Sequence, residues 1–124
     1  MSKPLPFSLR TADGERRYQE AQQKGETIPL DREPHIAEFT YWFAIANAYP
    51  YDAVYEKHDM LLPRRKIQHR NQLNADELAE LKTIITYFID PNYDQFFENM
   101  TRRKSVLNHY HTHMGVFWKE RKDD

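Results

Sequence analysis

The chain has no cysteine among its 124 residues. That excludes disulfides, thiolate zinc sites and a cysteine nucleophile together, and it is compatible with a reducing compartment. It also lacks a charge of one sign: the formal net charge is −1, so bulk electrostatics argue against a general nucleic-acid or membrane binder. No apolar run is long enough to span a bilayer. The opening residues, Met1-Ser2-Lys3-Pro4-Leu5-Pro6-Phe7, lack the apolar stretch of a signal peptide. Internal repeats and low-complexity tracts are absent as well. The expectation is a single small domain, located in the cytoplasm.

What is present is concentrated near the C-terminal end. Three of the six histidines alternate in His109-Tyr110-His111-Thr112-His113. A β-strand sends every second side chain to the same face, so an extended backbone here stacks three imidazoles on one surface. Such a column can hold, protonate or attack a phosphate, or it can hold a metal.

The remaining elements follow from local signals. Residues 1–11 read as an extended arm and residues 11–24 as a polar surface helix stopped by Gly25. Residues 26–34 read as an extended connection. Phe39 to Asn47 is aromatic and β-branched, as in a buried strand, and Lys57 to Leu62 reads as a second strand closed by Pro63. Asn74 with Glu77 forms a capping-box pattern. It opens a helix with Leu78, Leu81, Ile85 and Phe88 on one side, expected to end near Asp90 because Pro91 follows. Strands are expected over residues 93–99 and from His109 to about Trp118, separated by a polar turn. This order points to an α+β domain with a largely antiparallel sheet. The organisation expected is an N-terminal arm and helix over residues 1–38, the main domain over residues 39–118 and a charged tail over residues 119–124.

Together these residues resemble the histidine triad (HIT-like) superfamily of nucleotide hydrolases and transferases. The resemblance rests on His109-Tyr110-His111-Thr112-His113-Met114-Gly115. It rests also on Asn47-Ala48-Tyr49-Pro50-Tyr51 followed by His58-Asp59-Met60-Leu61-Leu62-Pro63-Arg64-Arg65, and on the helix between these stretches. Asn99 stands about where the family often has an asparagine. The resemblance covers roughly residues 39–118. It implies a HIT-like α+β fold: an antiparallel sheet of about five strands, a helix packed between the central strands in sequence, and here an additional N-terminal helix.

The chemistry implied is attack on the α-phosphate of a nucleotide through a nucleotidyl-histidine intermediate. By position His111 is the nucleophile, and His113 is placed to hydrogen-bond a non-bridging oxygen. Either His113 or a backbone carbonyl must set the tautomer of His111, and His109 and His58 are candidates for that support. Ser105 and Asn108 are alternative phosphate donors. Asn47 is a candidate for a ribose hydroxyl, or simply a strand-end asparagine. Arg103 and Lys104 belong to a basic run where the family commonly has a glycine-rich turn; they are read either as a solvated turn or as contacts to distal phosphates. Arg64, Arg65 and Lys66 carry the same two readings. The strand aromatics, Trp42 and Phe43 among them, are read as core or as the wall of a base pocket. His35 and His69 are expected to be exposed. The implied partner is a small nucleotide, with no cofactor, no resident metal, no nucleic acid and no membrane, and the family implies a homodimer. Two other readings stand beside the enzyme: a catalytically silent nucleotide-binding module, and a metal-binding histidine cluster.

Overall fold

The computed structural model describes residues 8–103, 106 and 108–120. Its order is α1 (Ala12–Gln23), β1 (His35–Glu38), β2 (Trp42–Ala46), β3 (Tyr55–Pro63), α2 (Ala75–Ile84), β4 (Gln95–Phe97) and β5 (Thr112–Phe117). The five strands form one sheet in the order β1-β2-β3-β5-β4, and all four pairings are antiparallel. No helix among the described residues is long and apolar enough to cross a membrane.

Local chemistry explains the helix starts. Thr11 caps α1 by accepting from the amide of Gly14, and Gly25 follows the helix at a positive φ of 67°. At α2 the capping box is complete. Asn74 Oδ1 accepts from the amide of Glu77, and Glu77 accepts in return from the amide of Asn74. Glu77 is buried and also takes both Nε and Nη2 of Arg65, at 2.9 and 2.7 Å. Arg65 thus ties the exit of β3 to the start of α2.

The α2 face of the sheet carries the larger apolar cluster, in which Trp42, Leu61, Ile84, Ile89 and Met114 are buried together. Here α2 departs from the expected spacing. Leu78 stays 45% exposed, whereas Glu77, Ile84 and Ile89 turn inward. The cause is a π-helical turn over Ile85–Ile89, which continues into Asp90–Asn92. Its extra residue moves the buried position from Phe88 to Ile89. The helical path therefore does not stop before Pro91. Asp90 is helical, at φ −53° and ψ −45°, and the Asn92 side chain donates to the Phe88 carbonyl at 2.7 Å, closing the last turn.

Two strand assignments also shift. The strand expected from Phe39 begins at Trp42, because residues 39–41 turn the chain out of β1. Phe39 N–H donates to the Trp42 carbonyl across that turn, at 2.9 Å. The last strand begins at Thr112 rather than at His109, so only His113 of the histidine series lies within it. Thr112, polar at a buried position, directs its hydroxyl to the Leu61 carbonyl at 2.9 Å.

The opposite face of the sheet is covered by the N-terminal segment. The Asp52 carboxylate accepts from the amide and hydroxyl of Thr11 at 2.8 and 3.1 Å. The Asp52 carbonyl accepts from the Trp118 indole at 2.9 Å. One residue thus joins the start of α1 to the end of β5. Leu30, from the connection after α1, packs on Phe43, Ile45, Met60 and Leu62.

Candidate active site

His58 lies in β3 and His113 in β5. The register pairs His58 with Gly115 and Met60 with His113, which makes the two histidines diagonal neighbours on one face. His58 Nε2 is 2.8 Å from His113 Nδ1. The proton positions follow from the partners. The amide of Tyr51 donates to His58 Nδ1 at 2.9 Å, and a backbone N–H can only donate. Neutral His58 therefore carries its proton on Nε2 and passes it to His113 Nδ1, so neutral His113 carries its own proton on Nε2. That Nε2 is buried and has no hydrogen-bond partner among the described residues. Both rings are held neutral. Burial lowers His58 to about 4, helped by Arg10 and His111. Burial likewise pushes His113 well below its ordinary value, with His111, His58 and Arg10 adding to it.

His111 precedes β5 by one residue. Its Nδ1 is 3.1 Å from the carbonyl of His109. A carbonyl only accepts, so Nδ1 carries the proton and the lone pair of the neutral ring sits on Nε2. The His111 ring stands edge-on to His113, with centroids 5.1 Å apart. His109 is anchored elsewhere: its Nε2–H donates to the Pro63 carbonyl at 2.9 Å, and its ring meets Phe43. The side chain of His109 thus secures the backbone whose carbonyl orients His111.

His111 and His113 open into a cleft of about 180 Å³, lined also by Arg10, Tyr18, Gln22, Glu26, Leu30 and Glu33 of the N-terminal segment. The set is one ring whose Nδ1 proton is fixed by a carbonyl, one buried N–H beside it, and a cleft that both histidines line.

No family model matches this chain, and no curated protein does. Solved structures do match. A "Hit Like Protein" superposes with a TM-score of 0.53 at 19% identity, over 80% of this chain and 96% of its own. A hypothetical histidine triad nucleotide-binding protein from Sulfolobus tokodaii superposes with a TM-score of 0.53 at 18% identity, over 81% of this chain and 68% of its own. The chain has the histidine triad (HIT) fold.

Within this HIT fold the residues singled out in the sequence separate into groups. His58, His111, His113 and Asn47 converge. Asn47 Oδ1 accepts from the amide of Tyr49 at 2.8 Å, and its side chain also lines the cleft. His109 and Asn108 line a separate, smaller cavity beside Lys66 and Asp31. Asn99 is outside the cleft and donates to the hydroxyl of Tyr51 at 2.8 Å; through that ring it supports the histidines without facing them. Arg103 ends a short 3-10 turn, Thr101–Arg103, and is not among the residues lining the cleft. Lys104 and Ser105 lie outside the described residues.

The other basic run is committed elsewhere: Arg64 to the Phe39 carbonyl, Arg65 to Glu77 and Lys66 to Asp31. Trp42 is core, with its indole donating to the Glu77 carbonyl at 2.9 Å. The metal reading finds no ligand set, since no group of three His, Cys, Asp or Glu residues able to hold an ion occurs among the described residues. The His58–His113 hydrogen bond already occupies the facing nitrogens of that pair.

Two residues of the site were assigned no role from the sequence. Tyr51 contributes its amide to His58, and its ring lies tilted against His58 and stacked on His113 at centroid distances of 4.5 and 5.6 Å. Arg10 lies in the arm before α1 and reaches the cleft only because α1 docks on the loop before β3. The Tyr49-Pro50-Tyr51 run beside Asn47 was a usable signal for Tyr51; nothing local marks Arg10.

Proposed function

We propose that this chain is a histidine-triad nucleotide hydrolase or nucleotidyl transferase. One observation carries the reading. His111 is held by the His109 carbonyl in the tautomer that presents Nε2 as a nucleophile, beside the buried N–H of His113. In the first step the Nε2 lone pair attacks the α-phosphorus and a P–N bond forms. The bond from phosphorus to the leaving group breaks, and the leaving group departs with the electron pair to be protonated from solvent. His111 becomes cationic and keeps its Nδ1 proton on the His109 carbonyl. The N–H of His113 donates to a non-bridging oxygen as charge builds there. In the second step water or another acceptor attacks phosphorus and releases its proton to solvent, the P–N bond breaks and its pair returns to His111 Nε2. His58 acts as a positioning residue, since the Tyr51 amide dictates its tautomer and so the tautomer of His113.

The nucleotide-binding description of the Sulfolobus tokodaii neighbour supports the substrate class. The test is a panel of nucleoside phosphate esters, anhydrides and phosphoramidates, followed by rapid quench and intact-mass analysis. A transient adduct of one nucleoside monophosphate is expected on the wild type and none on His111→Ala. Failure of the whole panel to give either turnover or adduct would remove the enzymatic reading, and calorimetric binding without turnover would leave a silent nucleotide-binding module. The homodimer is part of the same proposal, and light scattering that returned only monomer would exclude it.

A further inference from the structure

We infer that Arg10, supplied by the segment before α1 and not by the sheet, is the cation that binds the substrate phosphate in this cleft. The inference rests on the nucleotide reading above and adds to it a residue outside the stretch that resembles the histidine triad family.

The need for a cation follows from the histidines. His58 and His113 are both neutral, and the attacking ring must also be neutral. At the moment of attack, then, these histidines supply an N–H but no full positive charge to the phosphate. Bringing a phosphate into a half-enclosed cleft without a counter-charge is costly. Among the described residues lining the cleft, Arg10 is the only lysine or arginine, and the acids that line it are Glu26 and Glu33. Among the described residues of the basic runs, Arg64, Arg65 and Lys66 are paired outside the cleft, and Arg103 does not line it.

The setting of Arg10 is that of a positioned group. Its side chain is only 13% exposed. The guanidinium lies over the rings of Tyr18 and Tyr51, at 4.1 and 5.1 Å from their centroids. Nε donates to the Tyr49 carbonyl at 2.8 Å and Nη1 to Glu15 at 3.2 Å. Nη2 makes no hydrogen bond among the described residues, and it belongs to the planar fork that matches phosphate oxygens. Tyr51 stacks on His113, so the charge stands one ring away from the N–H proposed to receive the same phosphate. Its field already reaches the histidines, since Arg10 contributes to lowering both His58 and His113.

The test compares wild type, Arg10→Met, Arg10→Lys and the control Arg16→Gln, which removes a charge from exposed α1 ion pairs. Calorimetry measures the four ribonucleoside 5′-monophosphates and, separately, the four unphosphorylated nucleosides, each at two salt concentrations; KM and kcat are read on any substrate found. Arg10→Met is expected to weaken the preferred monophosphate about 10–100-fold, the size of a lost charge-assisted bond. It should flatten the salt dependence and leave nucleoside affinity unchanged. Arg10→Lys should recover part of the loss, and Arg16→Gln should match wild type. KM should rise more than kcat falls, the signature of binding shared by ground and transition states. Equal weakening of nucleoside and monophosphate would reduce Arg10 to a docking residue and overturn the inference. Full turnover with unchanged monophosphate affinity in Arg10→Met would overturn it while leaving the proposed function intact. Arg10-dependent binding without turnover would do the reverse, and a wild type that binds no monophosphate would overturn both.

Discussion

The two faces of the sheet are built from alternate residues of the same strands, and both are buried, but different forces hold them. On the α2 face Leu61 and Met114 are fully buried among hydrocarbon neighbours, and the stabilisation is dispersion and water exclusion, which depend on volume. On the other face His58 and His113 are 4% and 3% exposed, and each must be neutral and hydrogen-bonded to be tolerated there. On the first face proton positions matter only locally, as where the Tyr93 hydroxyl donates to Asp59. The second is set by them: one backbone amide, that of Tyr51, orders a chain of donors two rings long. A methylene removed from one face and a proton added to the other should therefore be felt in different measurements.

The sharpest separation concerns chemistry. His111→Ala should lower turnover of any identified substrate by about a thousandfold or more, with the urea midpoint little changed. A stability loss of the size seen for a core truncation would break the distinction, because it would make His111 a packing residue. Conversely, Leu61→Ala should cost about 2–5 kcal/mol of unfolding free energy in urea titrations, while the nucleotide affinity of the folded protein stays near wild type.

Acid comes next and acts on the histidine face first. The ordinary histidine value is 6.5 and His58 is lowered to about 4, so in this window the unfolded chain binds more protons than the folded one. The stability contributed by a neutral His58 is complete above 6.5 and drains as the pH falls towards the folded value, with about 2 kcal/mol gone at pH 5 from His58 alone. His113, lowered further by burial, adds to the same trend. Glu77, held below its ordinary 4.5 mainly by its hydrogen bond to Arg65, keeps its contribution through that range and loses it only at more acid pH. Thermal melts at pH 7 and 5 should differ accordingly, and a flat profile would mean that the imidazoles are not buried neutral.

Gly115 tests how tightly the histidine face is packed. A Cβ there would lie 2.4 Å from the ring of Tyr55, so Gly115→Ala should destabilise by about 1–3 kcal/mol. Reducing Tyr55 to Val in the same chain should return part of it, which a double-mutant cycle would register. The smallest effect is expected from Asn74→Ala, which removes the α2 cap at a cost of about 1 kcal/mol in chemical denaturation and leaves catalysis untouched.

Local signals predicted much of this architecture. Thr11 and Gly25 bounded α1, Asn74 and Glu77 opened α2, Pro63 closed β3, and the alternation of His109, His111 and His113 marked the segment that the sheet lays beside His58. The misses have a common cause in non-local forces. β1 is short and mostly exposed, so it shows no alternation and exists because β2 pairs with it. Leu78 looked inward on a regular helix, but the π turn and the buried Glu77–Arg65 pair reset which side of α2 faces the sheet. Asn99 stood at the family's asparagine position and Asn108 read as a phosphate donor, yet one supports Tyr51 and the other lines a different cavity.

The order of residues by itself determined where helices begin, which stretches extend and that several imidazoles fall close together, because caps, prolines and two-residue periodicity act over a few positions. It did not determine what those imidazoles are. Which nitrogen bears the proton depends on the donor or acceptor opposite, and for His113 that partner is His58, 55 positions away along the chain. Only the packed sheet, with the arm carrying Arg10 laid across it, decided that one ring presents a lone pair and its neighbour a proton.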